Sequence, residues 1–311
     1  RNAVIRKAGT AAIELLEKAR ETTLAENNKS HINLYVALGI KSRACLAEGD
    51  WDGAFKAAKR VIDEGGYAVG TKSDLTGGMN SLDKQNVMWG AGIQVADQAG
   101  GYAGFFTHMD NKEGAYAKSA PKLISKQLYN RISATDIRRD WWDPSDKESP
   151  YVSKKFSFAN VASFLGDYIY MRVEEMYFTA AEAALRLDDL KSARELMNTV
   201  MAERDPGYSA NNRSGTLLGS TTTTWTGSFL ENILTHRRIE LWGEYGRLFD
   251  VRRLGQGIDR RTDDGFSEEC ISMMNRRNVN ITKADTYDWV LTIPKAELDA
   301  NPNINEEDQN P

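Results

Sequence analysis

A chain of 311 residues, 41% hydrophobic and 27% charged, has the composition of a folded protein with a sizeable core, which excludes a disordered one. Its 40 Lys and Arg against 44 Asp and Glu leave a formal net charge of −4, without the basic excess of a nucleic-acid binder, and no apolar run approaches the roughly 20 residues that span a bilayer. Two distant cysteines, Cys45 and Cys270, supply neither a disulfide framework nor a zinc cage. The first predicted helix covers residues 3–26. A second runs from about Ser30 to Glu48, with Tyr35, Leu38, Ser42 and Cys45 on one face and Cys45 expected as a small core residue. After the break at Gly49-Asp50-Trp51, a third helix carries Ala54, Ala57, Ala58, Val61 and Ile62 at i, i+3, i+4 spacing and stops at Gly65-Gly66.

Residues 86–95 alternate Val87, Trp89, Ala91, Ile93 and Val95, the pattern of a half-buried strand. Residues 97–120 read as a long loop rich in Gly, aromatic and polar residues, and long loops inside folded domains are commonly functional; residues 138–159, with Trp141-Trp142-Asp143-Pro144, read as a second irregular region. Tyr168–Met171 reads as a short strand feeding a helix. That helix and the next repeat the earlier layout: Val173, Met176, Tyr177, Ala180, Ala184 and Leu187 form one stripe, Asp188-Asp189 turns the chain, and Leu190, Ala193, Leu196, Met197 and Val200 form the other. At a single offset, Leu46 aligns with Leu185, Trp51 with Leu190 and Ala54 with Ala193. Alanines at equivalent points of two helix pairs allow close approach, the mark of tetratricopeptide-like units. A polar linker containing Thr221–Thr224 leads to a helix from about Ser228 to Leu248, then irregular sequence over 255–285 and a last short strand at Trp289–Ile293.

No catalytic constellation emerges. His31, His108 and His236 have no partner at metal spacing, and no HExxH or GxSxG occurs. Residues 65–73 mimic a phosphate loop, but Thr71 spoils the spacing and a helix, rather than a strand, precedes them. The pairs Asp143/Asp146 and Asp263/Asp264 read as solvated surface, having no reason to flank a glycosidic bond. Charges around His236 (Arg237, Glu240, Glu244, Arg247, Asp250), and Arg172, Glu174, Glu175 and Glu182, read as structural ion pairing. Trp51, Trp89, Trp242 and Trp289 sit in periodic apolar segments and are expected in the core. Trp141, Trp142 and Trp225 lie in irregular polar segments together with Tyr102, Phe105, Phe106 and Tyr116. These loop aromatics could stack on sugar rings, with Asp97, Gln98, His108, Asp110, Asn111 and Lys112 bonding hydroxyls.

Five segments in order resemble one family: ACLAEGDWDGAFKAAKRVIDEGGYAV (44–69), TDIRRD (135–140), YIYMRVEEMYFTAAEAALRLDDLKSARELMNTVMAER (168–204), ILTHRRIELWGEYGRLFDVRR (233–253) and LTIPKAELDANPNINEEDQNP (291–311). Together they resemble the C-terminal portion of the SusD/RagB proteins, nutrient-binding outer-membrane lipoproteins of Bacteroidetes. Thr235-His236 departs from the family's usual acidic entry to the fourth segment. The family's lipidated cysteine and N-terminal helical region have no counterpart here, so the chain is expected to be part of a longer protein, with its membrane attachment only through an anchor outside this sequence.

The resemblance implies a mainly α fold, with tetratricopeptide-like helix pairs, a loop-rich ligand face and a few short β-strands. The expected organisation is a helical region over 1–70 and a SusD/RagB C-terminal region over 71–311, with ligand loops at 97–160 and the second helix pair at 172–204, integrated in one structural domain. It implies non-catalytic capture of oligosaccharide at the cell surface and transfer to a SusC-like TonB-dependent transporter, without cofactor or metal and without nucleic acid. Peptide capture, as RagB-like members suggest, and a scaffold binding only proteins are the rival readings. The expected ligand contacts are Tyr102, Phe105, Phe106, His108, Asp110, Asn111 and Tyr116, followed by Trp141 and Trp142, which could instead pack beneath the loop.

Overall fold

The computed structural model describes residues 28–96, 104–259 and 292–309, together with positions 13, 14 and 18. The helix expected over 3–26, Cys270, Trp289 and the Asp263/Asp264 pair therefore lie wholly or largely outside the described residues. The chain divides into two compact units. The first comprises residues up to Leu217 with Gly227–Arg247, and the second Leu218–Thr226 with Leu248–Pro311.

The first unit opens with the helix pair α1 (Leu34–Glu48) and α2 (Trp51–Glu64). The Asn33 side chain caps α1 by accepting from the Val36 amide, and Gly49, at φ 77°, closes it by returning its N–H to the Cys45 and Leu46 carbonyls. Asp50 then caps α2 through the Gly53 amide. Chain order continues with α3 (Lys72–Thr76), β1 (Val87–Ala91), α4 (Phe105–Met109), α5 (Ala115–Ser119) and α6 (Lys126–Tyr129). A 3-10 turn at Ile137–Trp141 leads into the two-residue strands β2 (Trp142–Asp143) and β3 (Val152–Ser153), which pair antiparallel. The segment 97–120 was expected to lack helices; past its undescribed residues it forms α4 and α5, each begun at a glycine in extended conformation, Gly104 and Gly114.

β4 (Tyr168–Arg172) pairs antiparallel with β1 and runs straight into α7 (Val173–Arg186), followed by α8 (Leu190–Ala202). The turn between α7 and α8 repeats that between α1 and α2: Asp188 takes the left-handed conformation of Gly49 (φ 61°), and Asp189 caps α8 as Asp50 caps α2. The two pairs, distant in sequence, stack as α1–α2–α7–α8, with α2 packed on α7. Ala54, Ala57, Ala58, Ala180, Ala183, Ala184 and Ala193 are all buried at these contacts, and Cys45 joins Leu46, Ala54 and Ala183 in the shared core. Each alanine lacks side-chain volume beyond Cβ, so the helix axes come close without loss of packing.

The helix α9 (Phe229–Glu240) packs against α7. A single helix was expected from Ser228 to Leu248; it ends instead at Glu240, because Gly243 and Gly246 adopt φ 75° and 106°, values no helix accommodates. A separate helix, α10 (Arg247–Arg253), follows. Within the second unit, Thr222 donates its amide to the Gly257 carbonyl and Arg253 pairs with Asp250. The helix α11 (Lys295–Ala300) starts at Pro294, and the Gln309 side chain holds both the amide and the carbonyl of Ile293. No described helix is long and apolar enough to cross a membrane.

Candidate functional site

The β1–β4 pair places aromatic side chains beside the helical stack. Trp89 lies opposite Met171 and Ala91 opposite Tyr168, and register shifts on both sides of Trp89 twist the pair locally. Trp89 meets Tyr170 edge-on at 5.1 Å between ring centroids. Phe105, from the first turn of α4, packs edge-on against Phe156 at 5.3 Å and donates its amide to the Tyr168 hydroxyl. These rings, with Met79, Ile169, and the Gly243–Tyr245 turn that ends α9, enclose an open cavity of about 460 Å³. Tyr170 and Tyr245 stand 41% and 38% exposed at its mouth. The cavity is therefore an aromatic recess, with polar groups supplied by Arg43, from α1, and Glu244.

Beside the recess lies a buried ionic network in which Arg172, Glu174, Glu240 and Glu244, expected as structural ion pairs, are joined by Asp136, Arg138, Lys155 and Arg204, which were not. Glu240 receives Arg204 Nε at 2.9 Å, Arg172 Nη1 at 3.0 Å and Arg138 Nη1 at 3.1 Å. Burial alone would raise the Glu240 carboxyl, but Arg204, Arg172 and Arg138 together hold it well below the usual carboxylate range. Arg138 is further clamped by Asp136, and Arg204 by Glu174. Glu174 Oε2 lies 3.1 Å from Arg172 Nη1, off the N–H direction, so it makes an ion pair and no hydrogen bond. Burial, and then the positive Arg138, keep His236 neutral, its basicity far below that of a free imidazole.

Lys155 is buried, and its ammonium donates to the Glu240 and Trp242 carbonyls and to Glu244 Oε1. Burial brings its pKa down to about 8, with Glu244 opposing the shift. Arg172 binds both Glu244 oxygens at 2.8 Å. Burial pushes the Glu244 carboxyl up, but Arg172 and Lys155 prevail and hold it ionised. The carboxylate lining the recess is thus saturated by two cations.

The structure distributes the expected contacts unevenly. Tyr102, Asp97 and Gln98 lie outside the described residues. Phe105 lines the recess. Phe106 is buried and packs on Phe158 and Tyr168, its neighbour on α4 having taken the cavity side. Asp110 is also buried, its carboxylate accepting from the amides of Lys112, Glu113 and Phe158, so it staples a turn. Asn111 bridges strands of chain, donating to the Ser153 carbonyl and accepting from the Lys122 amide. His108 stacks on Tyr116 at 4.6 Å and 9°, a partly exposed pair absent from the recess lining. Trp141 and Trp142 are interior residues. They pack with Leu75, Leu128 and Ile239, and Trp141 Nε1 donates to the Leu75 carbonyl. Their burial corrects the expectation of a ligand-facing tryptophan pair: the 3-10 turn that ends at Trp141 and β2, which starts at Trp142, turn both rings into the core, the packing alternative.

Trp89, Tyr168, Tyr170, Tyr245 and Arg43 line the recess although the sequence reading did not select them. Trp89 was assigned to the core because it sits in an alternating strand, yet it is only half-buried and lines the recess. The available signal was the Tyr168–Tyr170 doublet on a second short strand, since two tyrosines at i, i+2 share a face.

The SusD family model matches residues 107–311, more than half of the chain. The chain belongs to the SusD family. Solved structures agree. A SusD-like carbohydrate-binding protein of Bacteroides vulgatus is 27% identical with a TM-score of 0.63, the alignment covering 82% of this chain and 53% of that one. A SusD superfamily protein of Bacteroides thetaiotaomicron, 23% identical, reaches a TM-score of 0.72 over 98% of this chain and 66% of its own. Surface glycan-binding protein A of Bacteroides uniformis, 17% identical, gives 0.58 over 98% and 68%. The chain therefore spans between half and two thirds of the first two proteins. No curated protein sequence matches it. As a SusD-family chain it has the family's mostly helical architecture with a few short antiparallel strands.

Proposed function

We propose that this chain belongs to a non-catalytic surface protein that captures oligosaccharides and hands them to a SusC-like TonB-dependent transporter in the outer membrane. The observation that carries the reading is the recess framed by Trp89, Phe105, Tyr168, Tyr170 and Tyr245. The C–H faces of sugar rings pack on aromatic faces, and a few fixed polar groups orient them, which is the composition of this cavity. Family membership and the carbohydrate-binding and glycan-binding relatives support the same class of ligand. Non-catalytic action is supported by Glu244, the carboxylate lining the recess: held ionised by Arg172 and Lys155, it has no proton to give as a general acid.

Electrophoresis of the protein through native gels containing embedded polysaccharides, with a peptide digest as competitor, tests this reading. Retardation by one glycan class, relieved in Tyr170→Ala, is the expected result. Release by the digest alone, or no retardation by any glycan, would refute it in favour of peptide capture or a site elsewhere.

A further inference from the structure

Arg43 reaches the recess in a fixed pose. Its Nε donates to Glu175 Oε1 at 2.9 Å, and its Nη2 donates to Glu175 Oε2 at 2.6 Å and to the Tyr170 carbonyl at 2.8 Å. The Tyr245 ring covers the guanidinium at 3.8 Å from its centroid. A guanidinium has five N–H donors, and these bonds use three. The remaining two belong to Nη1, which has no hydrogen-bond partner among the described residues.

Arg43 pairs with one carboxylate among the described residues, Glu175. Its partner Glu175 is shared with Arg237, whose Nη2 lies 3.4 Å from the same Oε1. The other charged lining group, Glu244, is paired with Arg172 and Lys155, so its charge is compensated and it makes no ion pair with Arg43. The Arg43 side chain is only 13% exposed, and the walls beside it are aromatic. A sugar hydroxyl would satisfy the open N–H groups but not the charge. A carboxylate does both, and charge-assisted bonds are about twice as strong as neutral ones. Because Glu175, Tyr170 and Tyr245 already hold the guanidinium, little side-chain freedom is lost on binding.

We infer that the recess selects acidic glycans, with Arg43 Nη1 receiving the carboxylate of a uronic acid residue whose ring stacks on the neighbouring tyrosines. The inference rests on the glycan-binding reading above and assigns Arg43 as the specificity-determining residue.

The test is on the ligand side, so it does not depend on a variant folding. Oligogalacturonate and oligoglucuronate are titrated calorimetrically into the full chain, each beside the same oligomer with its carboxyl groups reduced to alcohols, at low and high salt. The expected result is that at least one acidic oligomer binds about tenfold or more tightly than its reduced form, an advantage that shrinks with salt. Arg43→Gln should erase that advantage, while Tyr170→Ala should weaken both forms together. Equal or tighter binding of the reduced oligomers, or binding of neutral polysaccharides only, overturns acid selection and leaves glycan capture standing. Failure of every glycan, acidic or neutral, removes both.

Discussion

Replacing Glu240 by Gln keeps the shape of the side chain and removes the charge on which three buried guanidiniums converge. The amide keeps one oxygen, so Arg204 and one of Arg138 and Arg172 would lose a bond of 2.9–3.1 Å and meet an NH2 donor instead, while all three lose the compensating charge in a site where all four side chains are fully buried. Breaking a buried ion pair from one side typically costs ~3–5 kcal/mol. Asp136, Glu174 and Glu244 retain part of the compensation, which places the expected loss near the lower end, at ~3 kcal/mol. With a denaturant slope of ~3 kcal/mol per molar urea, the unfolding midpoint should fall by about 1 M, read by tryptophan fluorescence. The control is Lys56→Ala, which breaks the i,i+4 pair with Asp52 on the exposed face of α2 and should cost no more than ~0.5 kcal/mol. A Glu240→Gln midpoint indistinguishable from that of Lys56→Ala would refute the view that this network organises the first unit.

Further outcomes follow from the same geometry. Lys155 binds its proton less tightly when folded, so between about 8 and 10.5 the unfolded chain holds more protons and this group's contribution to stability rises with pH; the slope of unfolding free energy against pH in that window should flatten in Lys155→Met. Glu240 works in the opposite quarter: its depressed carboxyl contributes stability that is complete above the ordinary carboxylate range and is lost as acid titrates the folded state, so Glu240→Gln should flatten the acid limb of the same curve. Trp141→Phe and Trp142→Phe remove similar volume, but only the first strands a buried carbonyl, that of Leu75; it should cost ~1 kcal/mol or more beyond the second in thermal or urea unfolding. Gly49→Ala forces a Cβ into the left-handed turn between α1 and α2 and should destabilise by ~1–2 kcal/mol, whereas Gly65→Ala, where φ is −75°, tests packing alone.

Much of the fold was legible because it depends on local chemistry. Asp50 and Asp189 announce helix starts by their capping oxygens, and the alanines at matching places of both pairs announce close helix contacts, which the structure realises by stacking pairs distant in sequence. The break after Glu240 was hidden, because Leu241 and Trp242 continue the helical period and only the φ of Gly243 and Gly246 ends it. The site was less legible than the scaffold. Its lining comes from α1, β1, α4, β4 and the turn after α9, so no single segment displays it. A loop aromatic and a core aromatic look alike in sequence: Trp142 proved interior, while Trp89, read as core, lines the recess. Asp110 and Asn111 have the polarity of ligand contacts, yet their hydrogen-bonding capacity is spent on backbone groups of their own chain.

The account stands on the aromatic recess as the place where a glycan binds. The decisive measurement is calorimetric titration of an oligosaccharide from the retarding glycan into the wild-type chain and into Tyr170→Ala/Tyr245→Ala, whose side chains are exposed and can be cut back without opening the core. The account predicts a loss of affinity of at least about tenfold, or ~1.4 kcal/mol, with the urea midpoint unchanged. Undiminished binding by the double variant would contradict it.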